Sequence, residues 1–569
     1  MYLIVWLCLI TLAAPAAGQE RFDVLIRGGQ VLDGTGNPWF RADVGIRGDR
    51  IVAVGRLDGA SAARVIEARG KAVVPGFVDL HSHADDGARS SGGLRDANAQ
   101  RRAAPNLVTQ GITTVVVNQD GRSPWPIAQQ RSDLERGSIG PNAMLLVGHG
   151  SVRQRVMGTD FRRVATADEI ARMRDLVRQG MGEGAWGLSA GLEYVPGRWS
   201  TTDEVVALAE EIVPFNGVYI SHERSEGSDP MWYWPSQDPP GPPTLLDAVS
   251  ETIEIGERTG ATVVASHIKA KGAHYWGSSA TVIRLIEEAR ARGVRVWADQ
   301  YPYETTGSDG STVLIPGWVF AEVSGGEGGR GGTRDYAGAL RRALADSAGA
   351  RKVRQDIAHE IRRRGGAERV LILEYRDSTM AGKYLRDVAS AWQLTPVEAA
   401  IQVQLRGSAD RAGGARLRGL SLSEYDIEPY AGRPWVATAT DGGIALPEDG
   451  FTHPRFYGTF PRKIRRYALD RGALSVESAI RSSTSLPAQI LGLKERGMVH
   501  EGYFADVLVI DLERIRDRST FFEPHLYSEG VDYVWINGQL VVEEGKPTWA
   551  LPGRVLTKDA QRRPATDGR

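Results

Sequence analysis

Residues 73–87 read VVPGFVDLHSHADDG, a short apolar run that stops abruptly at two histidines. Side chains two residues apart on an extended strand point the same way, so His81 and His83 face one side. Two neutral imidazoles in that arrangement can reach one metal ion. The stretch therefore predicts a buried strand, carrying Asp79, that ends at a metal site.

The overall composition is that of an ordinary globular protein. The 569 residues are 42% hydrophobic and 24% charged, with a formal net charge of -1 and a pI of about 6.8. This length allows a main domain with additional modules. The balanced charge gives no reason to expect nucleic acid or an anionic membrane as a partner.

Residues 1–18, MYLIVWLCLITLAAPAAG, carry no charged side chain and end in small residues. They predict a secretory signal peptide, with Ala16 and Gly18 at the cleavage positions, and hence a periplasmic or secreted protein without stable membrane association. No Lys or Arg follows Met1, so an uncleaved anchor or a misassigned start remains an alternative. Cys8 is the only cysteine, so the mature protein has neither a disulfide nor a thiolate ligand.

Short alternating runs broken by turns fill residues 19–75 and return after residue 490, at 502–515 and 531–548. They are typical of hairpin strands. We predict one small β-sandwich built from both termini, 19–75 and 491–569. Two unrelated edge hairpins are the alternative.

Between them, residues 76–490 alternate strand-length apolar runs with longer helical patterns. This alternation indicates a parallel sheet, and a count of eight predicts a (β/α)₈ barrel whose active site lies at the carboxyl ends of its strands. A long connection, 319–430, separates the seventh and eighth runs and is typical of a functional or disordered segment. The eight runs are FVDL before His81, 112–117, 143–148, 185–192, VYIS before His222, TVVAS before His267, VRVWA before Asp299, and WVATAT before Asp441.

Titratable side chains stand where these runs end. Each one alone is ambiguous, since a strand-end histidine is more often structural than a ligand. Together they predict a site of nitrogen and oxygen donors, which suits zinc without excluding manganese or cobalt. They are His81, His83, Asp120, His149, Glu193, His222, His267, Asp299 and Asp441.

Several longer motifs are more specific: GITTVVVNQDG, GLEYVPG, SHERSEG, SHIKAKG, TDGG, HPRFYGTFPR and GYFADVLVID. With them the chain resembles the N-acyl-D-amino-acid deacylases of the amidohydrolase superfamily, from about Phe22 to Leu556. The resemblance implies hydrolysis of N-acyl-D-amino acids, or of dipeptides with a C-terminal D-residue, and a lid at 319–430. It also implies one or two zinc ions, Asp441 as general acid and base, and as metal ligands His81, His83, His222 and His267.

The chain departs from this family at one position. The familiar members have a cysteine ligand in a GNCG turn after the second strand, whereas this sequence has Asn118-Gln119-Asp120-Gly121. We predict that Asp120 takes the ligand position, although a role behind the ligands or in capping the turn is the alternative. A carboxylate is a harder ligand than a thiolate, so metal preference is open.

The substrate's own carboxylate needs a cation or hydroxyl partners. Lys269 lies two residues after His267 and is the best candidate, and Arg224 stands in the same relation to His222, although a structural ion pair is an equal alternative for Arg224. The resemblance gives this role to the lysine and to a tyrosine after the seventh strand. Further candidates follow that strand: Tyr301, Tyr303, Ser308 and Ser311. His149 and Glu193-Tyr194 are assigned to the pocket wall or to positions behind the ligands.

Two other functions are compatible with the same pattern. One is a related hydrolase acting on a cyclic amide, a phosphotriester or an isoaspartyl-type peptide. Such relatives commonly carry a carbamylated lysine after the fourth strand, where this chain has Leu188-Ser189-Ala190. The other is a secreted binding protein without activity, which the retained histidines and Asp441 disfavour. The acyl group, the amino-acid side chain and the oligomeric state are not predicted.

Overall fold

A computed structural model describes residues 21–86, 92–321, 323 and 335–558. The predicted signal peptide, including Cys8, lies outside these residues. Helices and strands alternate through the chain, as predicted for an α/β protein. Within the described ranges no helix is both long and apolar enough to cross a bilayer.

Eight central strands run in parallel, and each pairs with the next one along the chain. Nearly all their residues are buried, because helices cover the outer face and the inner face is also closed to solvent. The strands are β1 Phe77–Asp79, β2 Ile112–Val117, β3 Asn142–Leu145 continued by Val147–Gly148, β4 Gly187–Gly191, β5 Val218–His222, β6 Thr262–Ala265, β7 Val296–Gln300 and β8 Val436–Thr438.

The segments that follow β1 and β8 lie side by side. Ser82 forms a parallel bridge with Gly442. The Asp441 amide donates to the carbonyl of His81 at 2.9 Å, and the His83 amide donates to the carbonyl of Gly442 at 2.8 Å. Residues 360 positions apart are thereby held in register at one edge of the strands.

Longer helices between these strands, such as Leu245–Thr259 and Ser279–Ala291, bury an apolar stripe. Ala167–Gly182 is a further example: a capping box of Thr166 and Glu169 begins it, and Met173, Val177 and Met181 are buried at spacings of four. The other helices of this part are Ala99–Arg102, Pro105–Val108, Ile127–Gly137, His149–Met157, Thr202–Glu210, Arg455–Arg462, Lys463–Asp470, Val476–Ser483 and Ser485–Leu491.

Both ends of the described chain contribute to one nine-stranded sheet. Ala72–Pro75 pairs with Val507–Ile510 in antiparallel register, and Val73, Val509 and Trp535 share one apolar cluster. Since Ala72–Pro75 leads directly into β1, this sheet fixes the start of the first histidine strand. Its other strands are Arg21–Val31, Phe40–Arg47, Arg50–Gly55, Ser61–Glu67, Val531–Ile536, Gln539–Glu543 and Lys546–Pro547.

The connection between β7 and β8 has a hydrophobic cluster of its own. An antiparallel pair, Val370–Glu374 with Arg416–Gly419, lies among its helices. Leu417 of that pair bridges Thr312, so the insertion packs beside the residues that follow β7. The helices are Tyr336–Ala345, Ser347–Arg363, Leu385–Ala391, Pro396–Arg406 and Glu424–Ala431.

Candidate metal centre

The structure brings together all five predicted metal ligands and the predicted general base. Asp120 lies in the middle: its carboxylate oxygens face one nitrogen from each of the four histidines. The oxygen-to-nitrogen distances are 3.6 Å to His81, 3.7 Å to His83, 3.5 Å to His222 and 3.7 Å to His267.

These spacings suit a bound divalent ion. Donors at 2.0–2.2 Å from a tetrahedral metal stand roughly 3.4 Å apart, close to the values observed. Within the described chain, Nε2 of His81 and Oδ1 of Asp120 are buried and lack a hydrogen-bond partner. Leaving such atoms unpaired is costly, and a cation between them would satisfy both.

The donors divide into groups that share Asp120. His81, His83 and Asp120 form one group, and Asp120, His222 and His267 form another, each with its donor atoms within 4.8 Å of one another. Burial raises the pKa of Asp120, but the imidazoles of His222 and His267 outweigh it and hold the pKa well below its usual range. Asp120 is therefore an anionic donor placed to serve two ions or one.

A chain of hydrogen bonds orients His81 from behind. Its Nδ1 lies 2.5 Å from the Ser266 hydroxyl, which donates to Asp299 at 2.8 Å. Asp299 also accepts the backbone amide of His267 at 2.7 Å. The Nε2 of His81 is thus left to face Asp120, the arrangement in which outer partners fix a ligand's orientation.

Two further histidines have a carboxylate behind them. His83 Nδ1 lies 2.5 Å from Asp86, and His222 Nε2 lies 3.1 Å from Glu193. In both, the other ring nitrogen faces Asp120. Glu193 therefore lies behind His222, one of the two positions considered for it from the sequence.

Three of the site residues have left-handed backbone conformations. Asp120, His267 and Asp441 have φ angles of 57°, 37° and 47°, just past the ends of β2, β6 and β8. Non-glycine residues in this region are strained by about 1–3 kcal/mol and concentrate at functional sites. The turns aim these side chains back across the strand ends.

Asp441 joins the histidines to an arginine. One carboxylate oxygen lies 3.0 Å from Nε2 of His83, and the other lies 3.0 Å from a guanidinium nitrogen of Arg455. Burial raises the pKa of Asp441, but Arg455 and the neighbouring histidines outweigh it and hold the pKa well below its usual range. The motif HPRFYGTFPR is evident in the sequence, but Arg455 within it was not predicted to be a site residue.

A cavity of about 640 Å³ opens over these residues. Lys269 lines it, pairs with the buried carboxylate of Glu226 and lies 5.6 Å from the ring centre of Tyr301. Glu226 was also missed, although it stands in the quoted SHERSEG. The cavity is further lined by Tyr194, Ser308, Ser311 and Arg418.

Two predicted substrate residues lie elsewhere. Arg224 is turned away from the cavity and pairs with Glu251 at 2.8 Å, so the ion-pair alternative describes its position. Tyr303 is buried behind the cavity wall, with its hydroxyl 3.5 Å from the carbonyl of Pro454. His149 likewise faces the helix Thr202–Glu210, where it lies 2.9 Å from Glu204.

A comparison of the sequence with protein families matches residues 64–210 and 342–542 to the amidohydrolase family. The chain therefore belongs to the amidohydrolases, the class that its strands and its cluster of histidines and aspartates also indicate. Within this class it is similar to the D-aminoacylase of Alcaligenes xylosoxydans xylosoxydans, with 31% identity over 95% of this chain and 99% of that protein.

Solved structures give the same result. A D-aminoacylase described as having a binuclear metal centre superimposes with a TM-score of 0.70 at 30% identity, over 94% of this chain and all of the other. The N-acyl-D-glutamate deacylase of Bordetella bronchiseptica, solved with zinc and a phosphonate mimic of the tetrahedral intermediate, gives 0.69 at 29% identity, over 95% and 100%. The predicted resemblance is confirmed.

Proposed function

We propose that this protein is a metal-dependent hydrolase that cleaves N-acyl-D-amino acids, or dipeptides with a C-terminal D-residue, into a carboxylate and a free D-amino acid. The observation that carries the proposal is the convergence of four histidines and Asp120, with Asp441 and Arg455 beside them, at one cavity, which all of them except the fully buried His81 line. The similar D-aminoacylase and N-acyl-D-glutamate deacylase support it.

The metal ligands in this proposal are His81, His83, Asp120, His222 and His267, which suit one or two zinc ions. A bound zinc supplies an activated water at neutral pH and a Lewis acid for the scissile carbonyl. Manganese and cobalt accept the same nitrogen and oxygen donors.

Asp441 moves the proton. Its carboxylate is anionic, so it can accept a proton from the attacking water. It then delivers that proton to the departing amine nitrogen, without which the amide does not break. Arg455 holds the carboxylate in place through the 3.0 Å contact.

Arg455 and Tyr301, which both line the cavity, can bind the carboxylate of the substrate. Nε of Arg455 and the hydroxyl of Tyr301 are buried and have no hydrogen-bond partner within the described part of the chain. The Arg455 guanidinium lies 4.6 Å from the ring centre of Tyr301, so the two groups can share one ligand. Lys269 adds a positive charge nearby, and Ser308 and Ser311 add hydroxyls at the rim.

A cyclic-amide or isoaspartyl hydrolase on the same fold is the second candidate. Its usual carbamylated lysine has no counterpart in β4, whose sequence is GLSAG. We further propose that the catalytic part is a (β/α)₈ barrel with the 319–430 insertion as its lid and the terminal sheet as a small sandwich, and that the protein is exported to the periplasm or secreted.

The test is a screen of N-acyl amino acids and dipeptides of both chiralities with zinc added. We expect hydrolysis selective for the D-residue, because the metal site and the Arg455–Tyr301 pair fix two substituents of the α-carbon and leave one space for the third. Equal rates on L and D substrates would contradict the deacylase function while leaving a metal-dependent hydrolase.

A further inference from the structure

Arg418 is a buried cation in the wall of the cavity. It lies on the strand Arg416–Gly419 of the insertion, and only 6% of its surface is exposed. Its guanidinium donates to the Thr305 hydroxyl at 3.2 Å and to the Thr306 carbonyl at 3.4 Å, and its face lies 5.0 Å from the ring centre of Phe521. The mechanism proposed above does not use it.

No carboxylate among the described residues forms an ion pair with Arg418. Against the effect of burial, the negative charge of Asp309 raises the pKa of Arg418. Asp309, however, already pairs with Arg364 at 2.9 Å and accepts a hydrogen bond from the Ser421 hydroxyl at 2.6 Å. Nε of Arg418 also lacks a partner in the described chain. Burial lowers the pKa of Arg418 to about 10, which still leaves it charged at neutral pH. A buried charge of this kind is costly unless something pairs with it.

The cavity wall makes room for two guanidinium groups. A Cβ added to Gly310 would lie 2.5 Å from Nη2 of Arg418, and one added to Gly307 would lie 2.8 Å from Nη2 of Arg455. Both glycines belong to the segment 307–311 that lines the cavity. Arg455 and Arg418 therefore stand against one short stretch of wall, and Arg455 is the one in contact with Asp441.

We propose that the cavity selects D-residues with an acidic side chain, aspartate or glutamate, and that Arg418 binds the side-chain carboxylate. The inference rests on the proposed deacylase function, in which Arg455 and Tyr301 take the α-carboxylate. A neutral side chain would leave Arg418 buried and unpaired, and a site with unpaired polar groups discriminates strongly against the ligand that fails to satisfy them.

The test compares N-acetyl-D-glutamate with N-acetyl-D-glutamine on the zinc-loaded full-length protein, because the two differ in charge and hardly in size. We expect kcat/KM to be roughly ten- to a hundredfold higher for the acid, the range of a charged hydrogen bond. Arg418→Gln should remove this preference by lowering the rate on the acid alone. Arg416→Gln is the matched control, since Arg416 lies on the same strand, is more exposed and pairs with Glu374 at 3.1 Å.

Equal kcat/KM for the two substrates in the wild-type protein would overturn the proposal, and this comparison holds even if Arg418→Gln does not fold. A folded Arg418→Gln that lowers both rates equally would also overturn it. In either case hydrolysis of N-acetyl-D-glutamine, or of N-acetyl-D-leucine, leaves the deacylase function standing. If the zinc-loaded protein cleaves none of these D-substrates, both the deacylase function and the selectivity for acidic side chains are contradicted.

Discussion

At the scale of single residues, two aspartates share one site but have different partners. Asp120 faces four histidines and shares its oxygens among them, whereas Asp441 contacts His83 on one side and Arg455 on the other. Burial raises the pKa of both, but the neighbouring histidines and, for Asp441, Arg455 outweigh it and hold the pKa well below the usual range. Both carboxylates are therefore anionic, and it is their positions that distinguish Asp120 as the proposed ligand from Asp441 as the proposed proton carrier.

Asp441→Asn should remove most of the activity and keep the fold and the metal. The amide has nearly the same shape but cannot carry a proton, and general acid or base catalysis contributes typically ~10²- to 10⁴-fold. The measurement is kcat on an N-acyl-D-amino acid, with metal content and melting temperature as controls. A folded, metal-loaded variant that retains nearly full turnover would show that another group moves the proton.

Asp120→Ala should lose metal together with activity, because the central donor of both ligand groups is removed. Asp120→Cys should retain zinc, since a thiolate is a softer donor for that ion. Metal stoichiometry after dialysis against a weak chelator measures both effects. Full occupancy in the alanine variant, with only a ~10- to 100-fold loss of rate, would instead place Asp120 behind the ligands.

At the scale of elements, one buried cluster attaches the insertion to the cavity wall. Glu360, at the end of the helix Ser347–Arg363, pairs with Arg363 and Arg364, and Arg364 also pairs with Asp309. Asp309 lies in the turn Ser308–Ser311 that lines the cavity. The position of the insertion and the shape of the cavity therefore depend on the same ion pairs.

Glu360→Gln should destabilise the protein by about 2–3 kcal/mol, because the buried Arg363 and Arg364 lose one carboxylate while Asp229 and Asp309 still compensate them in part. Glu398→Gln is the control: Glu398 pairs with Arg354 at 2.7 Å near the surface, and such pairs contribute only ~0–1 kcal/mol. Urea unfolding of both variants gives the comparison. Equal, small losses would show that the cluster does not hold the insertion.

The ion pairs of Glu360 with Arg363 and Arg364 also make the stability of the protein depend on pH. Burial raises the pKa of Glu360, but Arg363 and Arg364 outweigh it and lower the pKa from 4.5 to about 2. The stabilisation from Glu360 is thus complete above about pH 4.5 and is lost as the pH falls towards 2, because the unfolded chain binds the proton first. Across this window the wild type should lose more stability than Glu360→Gln.

Residues from distant parts of the chain meet at one edge of the eight strands. His81 and Asp441 come from the first and last strands, and the sheet built by both termini holds the entry to β1. The histidines and carboxylates at this edge come together only when the chain folds, so the folded state alone presents the metal site. Metal binding and folding are therefore coupled.

Removing the metal should lower the melting temperature. An ion that binds only the folded state stabilises it by ~2.7 kcal/mol at a free concentration of one hundred times the Kd. The measurement is thermal unfolding with and without a strong chelator, followed by zinc addition to restore the transition. Asp120→Ala should show a smaller shift, and an unchanged wild-type transition would contradict a metal site of this strength.

Which residues can bind a metal or move a proton, and where the strands end, could be predicted from local patterns in the amino-acid sequence. His81 and His83 lie two apart after an apolar run, and the other predicted ligands and Asp441 follow runs of the same kind, so a local pattern located them. The D-aminoacylase resemblance followed from motifs that stay contiguous in the chain. These features were predictable because strand periodicity and metal-ligand chemistry are local properties.

Which of these residues share the cavity depends on how the folded chain packs. Arg224 and Lys269 both lie past the ends of their strands, where the alternation of side chains no longer holds, so the direction of each is decided by its partner: Arg224 turns to Glu251, whereas Lys269 pairs with Glu226 at the cavity. Arg455 and Arg418 gave no local signal, since each acquires its role from groups far along the chain. A charge without a partner becomes costly only when the chain folds around it and buries it. The need of Arg455 or Arg418 for a partner therefore cannot be read from the residues beside it in the sequence.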